Sequence, residues 1–215
     1  MTNKTAKEIY IDQISDMKNH SQPVAQILCR GTTFEEDEVQ KVLEDVQHLA
    51  LTTCFCRETL NQCDAETEVC IALNDKALQL IKEGKGKKVD QERVYQLLEQ
   101  TWKSGLIHLL RFKEGEPTKK EYLCSCCPCC CVYLKPLEEG ITSHLLKSEY
   151  AACVDEEVCM GCGLCQEICA FQARNIGTGI NIRNGVGQVD VEQCYGCGIC
   201  AKICPTRATT VEKRD

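Results

Sequence analysis

The sequence lacks several features that mark common functional classes. A membrane helix needs roughly 18 consecutive apolar residues. The longest apolar runs of this sequence, such as residues 106–110, are far shorter. It contains neither G-x-x-x-x-G-K-[ST] nor G-x-G-x-x-G, and no flavin fingerprint. Its four histidines show no spacing typical of a metal site. These absences argue against a membrane span, a nucleotide-dependent enzyme and a histidine-based metal centre.

The start of the chain also lacks an apolar segment of the kind that directs secretion. We therefore expect a cytoplasmic protein. Lys and Arg number 25 against 32 Asp and Glu, which gives a formal net charge of −7 and argues against nucleic acid as a partner. A content of 27% charged and 43% hydrophobic residues is typical of a folded globular protein.

Cysteine, in contrast, is abundant, with 20 among 215 residues. Without an export signal, this density is typical of metal binding or catalysis and not of a disulfide framework. Cys29 and Cys153 stand alone, and we interpret both as buried small hydrophobic residues. A metal role stays open for Cys153, because it lies six residues before Cys159. The other cysteines fall into groups, and these groups carry the argument.

Two C-terminal runs with the pattern C-x2-C-x2-C-x3-C repeat each other at an offset of 35 residues. The first consists of Cys159, Cys162, Cys165 and Cys169, and the second of Cys194, Cys197, Cys200 and Cys204. Three cysteines at this spacing can surround one four-iron cube in a tight turn, and the glycines between them let the backbone approach inorganic sulfide. Zinc sites typically use two C-x2-C pairs with a longer gap, so the pattern disfavours zinc.

Residues 155–212 therefore resemble bacterial-type ferredoxins with two [4Fe–4S] clusters. The resemblance implies a small α+β fold with pseudo-twofold symmetry, in which the fourth cysteine of each run serves the other cluster. It assigns one cluster to Cys159, Cys162, Cys165 and Cys204, and the other to Cys194, Cys197, Cys200 and Cys169. Ala170 replaces the proline that usually follows the fourth cysteine, whereas Pro205 keeps it, and neither position is a ligand.

Ten further cysteines lie in the N-terminal part: Cys54, Cys56, Cys63, Cys70, Cys124, Cys126, Cys127, Cys129, Cys130 and Cys131. Their spacing is neither that of a zinc finger nor that of a ferredoxin run. It is similar to that of cysteine-rich iron–sulfur proteins of anaerobes that carry a ferredoxin tail. We expect one or two additional iron–sulfur clusters, or one larger linked cluster, with ligands from both segments. A zinc–thiolate site and a redox-active dithiol are the alternatives.

The segment CSCCPCCC at 124–131 constrains how these ligands can be shared. If it is extended, its side chains alternate between two faces. One face then carries Cys124, Cys126 and Cys130, and the other carries Cys127, Cys129 and Cys131. Six thiols on two faces cannot all reach one cube, although Pro128 can break the run. Arg57, beside the C-x-C motif, is interpreted as a surface or structural residue that could donate to a cluster sulfide.

The spacing of apolar residues predicts helices over much of residues 1–50 and over 90–103, followed by a hairpin with strands at 106–112 and 121–123. We expect an α+β protein with a mainly helical, cysteine-rich metal-binding domain at 1–150 and a ferredoxin-like domain at 151–215. Helix and hairpin together also fit a winged helix. An iron–sulfur regulator that binds DNA is therefore one alternative function.

The main prediction is an electron-transfer protein that works with redox protein partners in an oxygen-poor setting, because exposed cubanes and thiolates oxidise readily. It is interpreted as an electron carrier more than a catalyst, and no catalytic residue is assigned. A second alternative is an oxidoreductase or reductive activator whose N-terminal cluster binds a substrate or partner. The sequence leaves the redox partner and the oligomeric state open.

Overall fold

The structure is a computed structural model that describes residues 4–19, 22–30, 37–177 and 185–214. The helices are α1 (Ala6–Asn19), α2 (Glu38–Glu44), α3 (Phe55–Leu60), α4 (Asn74–Lys82), α5 (Gln91–Lys103), α6 (Leu164–Glu167) and α7 (Ile199–Ile203), with a 3-10 turn at Lys135–Glu139. The strands are β1 (Ala25–Ile27), β2 (Leu49–Thr52), β3 (Cys70–Leu73), β4 (Lys87–Lys88), β5 (Ile107–Lys113), β6 (Glu116–Cys126), β7 (Leu145–Leu146), β8 (Tyr150–Val154), β9 (Arg174–Gly177), β10 (Val186–Val189) and β11 (Thr209–Lys213). No helix in these ranges has the length and apolar character to cross a membrane.

The N-terminal part is organised around a seven-stranded sheet with the order β4-β2-β3-β6-β5-β1-β7. Its neighbouring strands are antiparallel, except that β7 runs parallel to β1. Helix α5 covers the sheet with a buried stripe that includes Val94, Leu97 and Leu98. The two edge strands, β4 and β7, are each only two residues long. The central strands carry most of the core.

Two local predictions are confirmed. The helix expected over 90–103 is α5, and the Asp90 carboxylate caps it by accepting a hydrogen bond from the Arg93 N–H at 2.8 Å. The expected hairpin is β5–β6. It lies inside the sheet, where β5 also pairs with β1 and β6 also pairs with β3. The hairpin is therefore a structural part of a larger sheet and not a freely projecting wing.

The expectation of a mainly helical N-terminal domain is wrong, because only 32% of the structure is helical. Within residues 1–50, where the sequence predicts helices over much of the segment, α2 already ends at Glu44. Leu49 instead begins β2, which pairs with β3. All four residues of each of these strands are buried. A short apolar run that is buried on both faces lacks the alternation that identifies a strand in sequence.

The C-terminal module, residues 150–214, contains two small antiparallel sheets, β8–β11 and β9–β10. Each cysteine run leads into a short helix, α6 in the first run and α7 in the second. The predicted hairpin between the runs is β9–β10, and its turn at 178–184 lies outside the described residues. This mixed helix and strand content agrees with the expected α+β class.

The C-terminal module packs closely against the N-terminal part. Gly198, at the start of α7, has φ +77°, and a Cβ atom there would lie 2.4 Å from the carbonyl oxygen of Arg30. Glycine therefore permits this approach. Lys202 on α7 pairs with Glu99 at 3.3 Å, and its Nζ lies 4.4 Å from the ring centroid of Trp102 on α5. Helices α5 and α7 are thus joined by ionic and cation–π contacts.

Glu38 forms the polar connection at this junction. Its buried carboxylate accepts hydrogen bonds from the Cys29 N–H at 2.5 Å, the Ser148 hydroxyl at 2.7 Å and the Glu149 N–H at 2.9 Å. A buried acceptor that satisfies three donors leaves all three unpaired when it is removed. The carboxylate of Glu38 therefore ties helix α2 to the segment that leads into β8.

We expect Glu38→Ala to lower the free energy of unfolding by about 2–4 kcal/mol, because it leaves buried donors without an acceptor. Urea denaturation of anaerobically purified protein measures this as a lower midpoint. The matched control is Glu44→Ala in the same helix, whose exposed side chain should contribute no more than about 0.5 kcal/mol. Equal midpoints for the two variants would contradict the assigned role.

Candidate metal centres

Two cavities in the C-terminal module are each lined by four cysteines. The first cavity is lined by Cys159, Cys162, Cys165 and Cys204. The second cavity is lined by Cys169, Cys194, Cys197 and Cys200. Each therefore combines three cysteines of one run with the last cysteine of the other. The structure brings together the same sets that the ferredoxin resemblance implies, although they are distant in sequence.

The backbone closely approaches the cysteine sulfurs that line the first cavity. Gly187 on β10 donates its N–H to the Cys159 Sγ at 3.3 Å. A Cβ at this glycine would lie 3.6 Å from the sulfurs of both Cys159 and Cys165. An N–H directed at a thiolate stabilises negative charge on sulfur and tunes a bound metal group. The donor set and the missing side chain both fit an iron–sulfur cluster.

All 20 cysteines lie in the described ranges, and none of them forms a disulfide. The structure therefore contains no disulfide framework, and the grouped cysteines carry thiols, which are soft metal ligands. Cys29 is fully buried beside Tyr150 and Val211, as expected for a small hydrophobic residue. Cys153, also expected to be buried, is instead half-buried on β8, and it lines neither cavity.

Arg174 lies between the two C-terminal cavities, and no sequence pattern indicates this position. Its side chain is buried, and its Nη2 donates to the Thr209 hydroxyl at 3.2 Å. Burial lowers its pKa, but the thiol of Cys165 and the charge of Cys200 raise it above the usual value. Arg174 therefore remains a cation close to thiols that line the first cavity and thiols that line the second.

The two cavities differ in their surroundings. Cys162 of the first cavity is exposed, and the neighbouring Val158, Met160 and Leu164 are exposed apolar side chains. The second cavity is lined by Tyr195 and Ile199, which are buried in a core shared with the N-terminal part. The first cavity therefore faces the outside of the protein, and the second faces its interior.

The ten N-terminal cysteines divide into two groups that the sequence did not separate. The cysteine tetrad consists of Cys63, Cys127, Cys129 and Cys130, whose Sγ atoms all lie within 4.8 Å of one another. The cysteine hexad consists of Cys54, Cys56, Cys70, Cys124, Cys126 and Cys131, which all line one cavity of about 790 Å³; Cys127 and Cys130 of the tetrad also reach this cavity. Both groups draw on the segment 54–70 and on the segment 124–131.

The backbone at the end of β6 causes this division. The strand ends at Cys126, and the chain then turns, with the Cys131 N–H donating to the Cys127 carbonyl at 3.1 Å. The expected alternation over the whole segment is therefore wrong for two residues. Cys130 joins Cys127 and Cys129, and Cys131 returns to the side of Cys124 and Cys126. The turn contains Pro128, which cannot donate a backbone hydrogen bond to a strand neighbour.

The thiols of the hexad form a closed ring in which each interacts with two neighbours. The order is Cys54, Cys56, Cys131, Cys126, Cys124, Cys70 and back to Cys54. Hydrogen bonds from neighbouring thiols lower the pKa of Cys54 to about 2 and that of Cys124 to about 5. Burial raises the pKa of Cys131, but hydrogen bonds from its two neighbours bring it below the usual value.

The pKa values of the other three members of the ring are raised: Cys56, Cys70 and Cys126. The main cause is the hydrogen bonds to the two neighbouring thiols in the ring, and burial raises these pKa values further. Six convergent soft donors fit an iron–sulfur or other thiolate-bound metal centre.

Two arginines lie beside the N-terminal cysteines. Arg57 is 1% exposed, and its Nη2 donates to the Ser125 carbonyl at 3.0 Å and to the Cys127 Sγ at 3.5 Å. It is therefore a buried structural residue with a contact to a ligand candidate, not a surface arginine. Arg111 lines the hexad cavity and pairs with Glu121 at 2.5 Å. These cations offset negative charge on the thiolates.

A continuous apolar core connects the hexad with the second C-terminal cavity. Cys126 and Cys131 belong to the same buried cluster as Trp102 and Tyr195, and Cys197 packs against it. The Tyr195 ring also stacks on Phe171, with ring centroids 4.4 Å apart. The two groups of thiols are thus separated by packed side chains from α5, β5 and the C-terminal module.

Comparison with known proteins agrees with this picture for one part of the chain. Residues 158–208 match the family model of the 4Fe-4S dicluster domain. No curated protein matches the chain. The C-terminal region is therefore ferredoxin-like and iron–sulfur binding, and together with the cysteine clusters it supports iron–sulfur centres in this protein. The predicted similarity of the N-terminal part to cysteine-rich proteins of anaerobes has no support from these comparisons.

Proposed function

We propose that the protein is an iron–sulfur electron carrier that connects two ferredoxin-type [4Fe–4S] clusters with a further cluster in the N-terminal part. Cys159, Cys162, Cys165 and Cys204 hold one [4Fe–4S] cluster, and Cys169, Cys194, Cys197 and Cys200 hold the other. The cysteine hexad holds the N-terminal cluster. The observation that carries the proposal is the apolar core that Cys126 and Cys131 of the hexad share with Tyr195 and Ile199 of the second C-terminal cavity.

Each bound cluster supplies one-electron chemistry. The residues around it control how easily that chemistry occurs. Trp102, Ile107 and Tyr195 are buried between the hexad and the second cavity and exclude water there. A dry, tightly packed environment also controls the dielectric around a metal site and therefore its potential. These side chains make the interior a medium for electron transfer between the two parts.

The number of thiols in the hexad favours one linked cluster. One [4Fe–4S] cube needs four thiolates, and two separate cubes need eight. The hexad offers six that contact one another in a closed ring, whereas Cys127 and Cys130, which line the same cavity, group with the tetrad. The hexad therefore exceeds the ligands of one cube and falls short of those of two, which favours a single centre with more than four irons.

The exposed side of the first cavity is the proposed contact surface for a redox protein partner. Val158, Met160 and Leu164 are exposed apolar residues on both sides of the exposed Cys162. An exposed apolar patch of this kind marks a site of interaction with another protein. We place this partnership in an oxygen-poor cytoplasm, because thiolates and clusters near the surface oxidise readily.

The test is anaerobic determination of iron, acid-labile sulfide and zinc in the full chain, combined with a reductive titration. We expect more than the roughly eight iron atoms and eight sulfides of two cubanes, and uptake of more than about two electrons. Cys124→Ala, which removes one thiol of the hexad, should reduce iron and sulfide toward that level. About eight irons in the unaltered protein would mean that no cluster forms in the hexad and would overturn the proposal.

A second candidate is an oxidoreductase or reductive activator in which the N-terminal cluster binds a small molecule. The observation that favours it is the cavity of about 790 Å³, a size typical of small-molecule sites, which Lys85, Lys87 and Arg111 line together with the hexad. Cyanide and carbon monoxide are suitable probes of open iron positions. A change in the N-terminal cluster spectrum under reducing conditions supports this candidate, and an unchanged spectrum supports the electron carrier.

A further inference from the structure

The cysteine tetrad is a compact group beside the hexad, and two of its members, Cys127 and Cys130, also line the hexad cavity. Cys63 lies in the loop between α3 and β3, whereas the other three members lie in the turn that follows β6. The sulfurs of Cys63 and Cys127 are 3.7 Å apart, and those of Cys129 and Cys130 are also 3.7 Å apart. All four sulfurs lie within 4.8 Å of one another. The tetrad is therefore a compact group of four convergent thiols.

These distances match one metal ion and not a cube. Four thiolates at the usual bond length of about 2.3 Å around a tetrahedral ion lie about 3.8 Å from each other. Thiolates on a [4Fe–4S] cube sit beyond its corners, so the same bond length separates them by roughly 6 Å. The observed separations of 3.7 Å and the upper limit of 4.8 Å agree with the first arrangement.

The surroundings of the tetrad suit a closed, structural site. Leu60, Ala65 and Leu106 pack against the four cysteines, of which Cys127 and Cys130 are buried and Cys63 and Cys129 are half-buried. The Nη2 of Arg57 donates to the Cys127 Sγ at 3.5 Å. A divalent ion with four thiolates has a net charge of −2, which this buried guanidinium partly balances. The Tyr10 hydroxyl fixes the turn by donating to the Cys130 carbonyl at 2.8 Å.

We propose that Cys63, Cys127, Cys129 and Cys130 bind one tetrahedral metal ion, Zn²⁺ or a single iron without inorganic sulfide. With four protein ligands the ion has no open position, so the site is structural and not catalytic. It links two segments that are 64 residues apart in sequence. Closing so long a loop constrains the unfolded chain and fixes the turn from which Cys126 and Cys131 enter the hexad.

The test compares metal and acid-labile sulfide in anaerobically purified full-length protein and in Cys63→Ser. Cys63 is half-buried at the edge of the site, and Cys153→Ser is the matched control because Cys153 is half-buried and not part of the tetrad. We expect Cys63→Ser to lose one metal ion per chain with no change in sulfide, and the control to keep both. The lost ion is identified as zinc or iron by elemental analysis.

A loss of sulfide together with several irons would show that the tetrad holds a cluster and would overturn the proposal. Unchanged metal content in Cys63→Ser would also overturn it. If Cys63→Ser does not fold, Cys129→His is the second variant. It should keep one metal ion per chain, because a Cys3His set still binds a tetrahedral ion. In the unaltered protein, Co²⁺ exchanged into the site should give the visible spectrum of tetrahedral cobalt thiolate. These readouts do not depend on iron in the hexad, so they separate this inference from the proposed function.

Discussion

Cys204→Ala should eliminate the cluster bound by the distant first cysteine run and leave the cluster of its own run in place. The structure puts the side chain of Cys204 in the first cavity with Cys159, Cys162 and Cys165. Alanine has no donor atom, so one iron of that cluster loses its protein ligand. The measurement is the electron paramagnetic resonance spectrum of the dithionite-reduced, anaerobic variant.

Two reference variants make the result unambiguous. Cys162→Ala removes a ligand of the first cavity, and Cys197→Ala removes one of the second. The spectrum of Cys204→Ala should coincide with that of Cys162→Ala. If it coincided with that of Cys197→Ala, each run would bind its own cluster, and the crossed ligand assignment would be incorrect.

Arg174→Gln should lower the reduction potentials of both C-terminal clusters. Arg174 is a buried cation next to Cys165 of the first cavity and to Cys200 of the second. At an effective dielectric constant of about 20, a unit charge a few ångströms away is worth a few kcal/mol. For a one-electron couple about 59 mV corresponds to a factor of ten in the equilibrium constant. The expected decrease is therefore on the order of 100 mV.

A redox titration followed by electron paramagnetic resonance measures both potentials. Arg174→Lys is the control, because it keeps the positive charge while losing the planar group that donates to Thr209. Its potentials should stay closer to those of the unaltered protein than the potentials of Arg174→Gln. Equal potentials in Arg174→Gln and the unaltered protein, at full iron content, would show that this charge does not tune the clusters.

The parts of the protein that could be predicted from sequence are those determined by local spacing. The cysteine runs at 159–169 and 194–204 place three ligands within one turn, so their pattern indicates the site directly. Helix α5 and the β5–β6 hairpin have regular apolar spacing and clear end points, and both are present. In each case neighbouring residues contain the information.

The N-terminal centres depend on contacts that sequence spacing does not show. Cys70 and Cys124 meet because β3 pairs with β6, and the register of that pairing is set by tertiary packing. The separation of Cys130 from Cys131 depends on a turn that interrupts the expected alternation. Arg174 is a single charged residue without a motif, so its location between two cavities could only be found in the structure.

The short outer strands of the seven-stranded sheet have a consequence for its behaviour in concentrated solution. One border is formed by only Lys87–Lys88, and the opposite border by only Leu145–Leu146. Long unprotected borders recruit strands from other molecules and start aggregation, and two-residue borders or lysine side chains oppose such recruitment. The short edge strands therefore give strands of other molecules little to pair with. This should limit fibre formation when the thiol-rich protein is concentrated without oxygen.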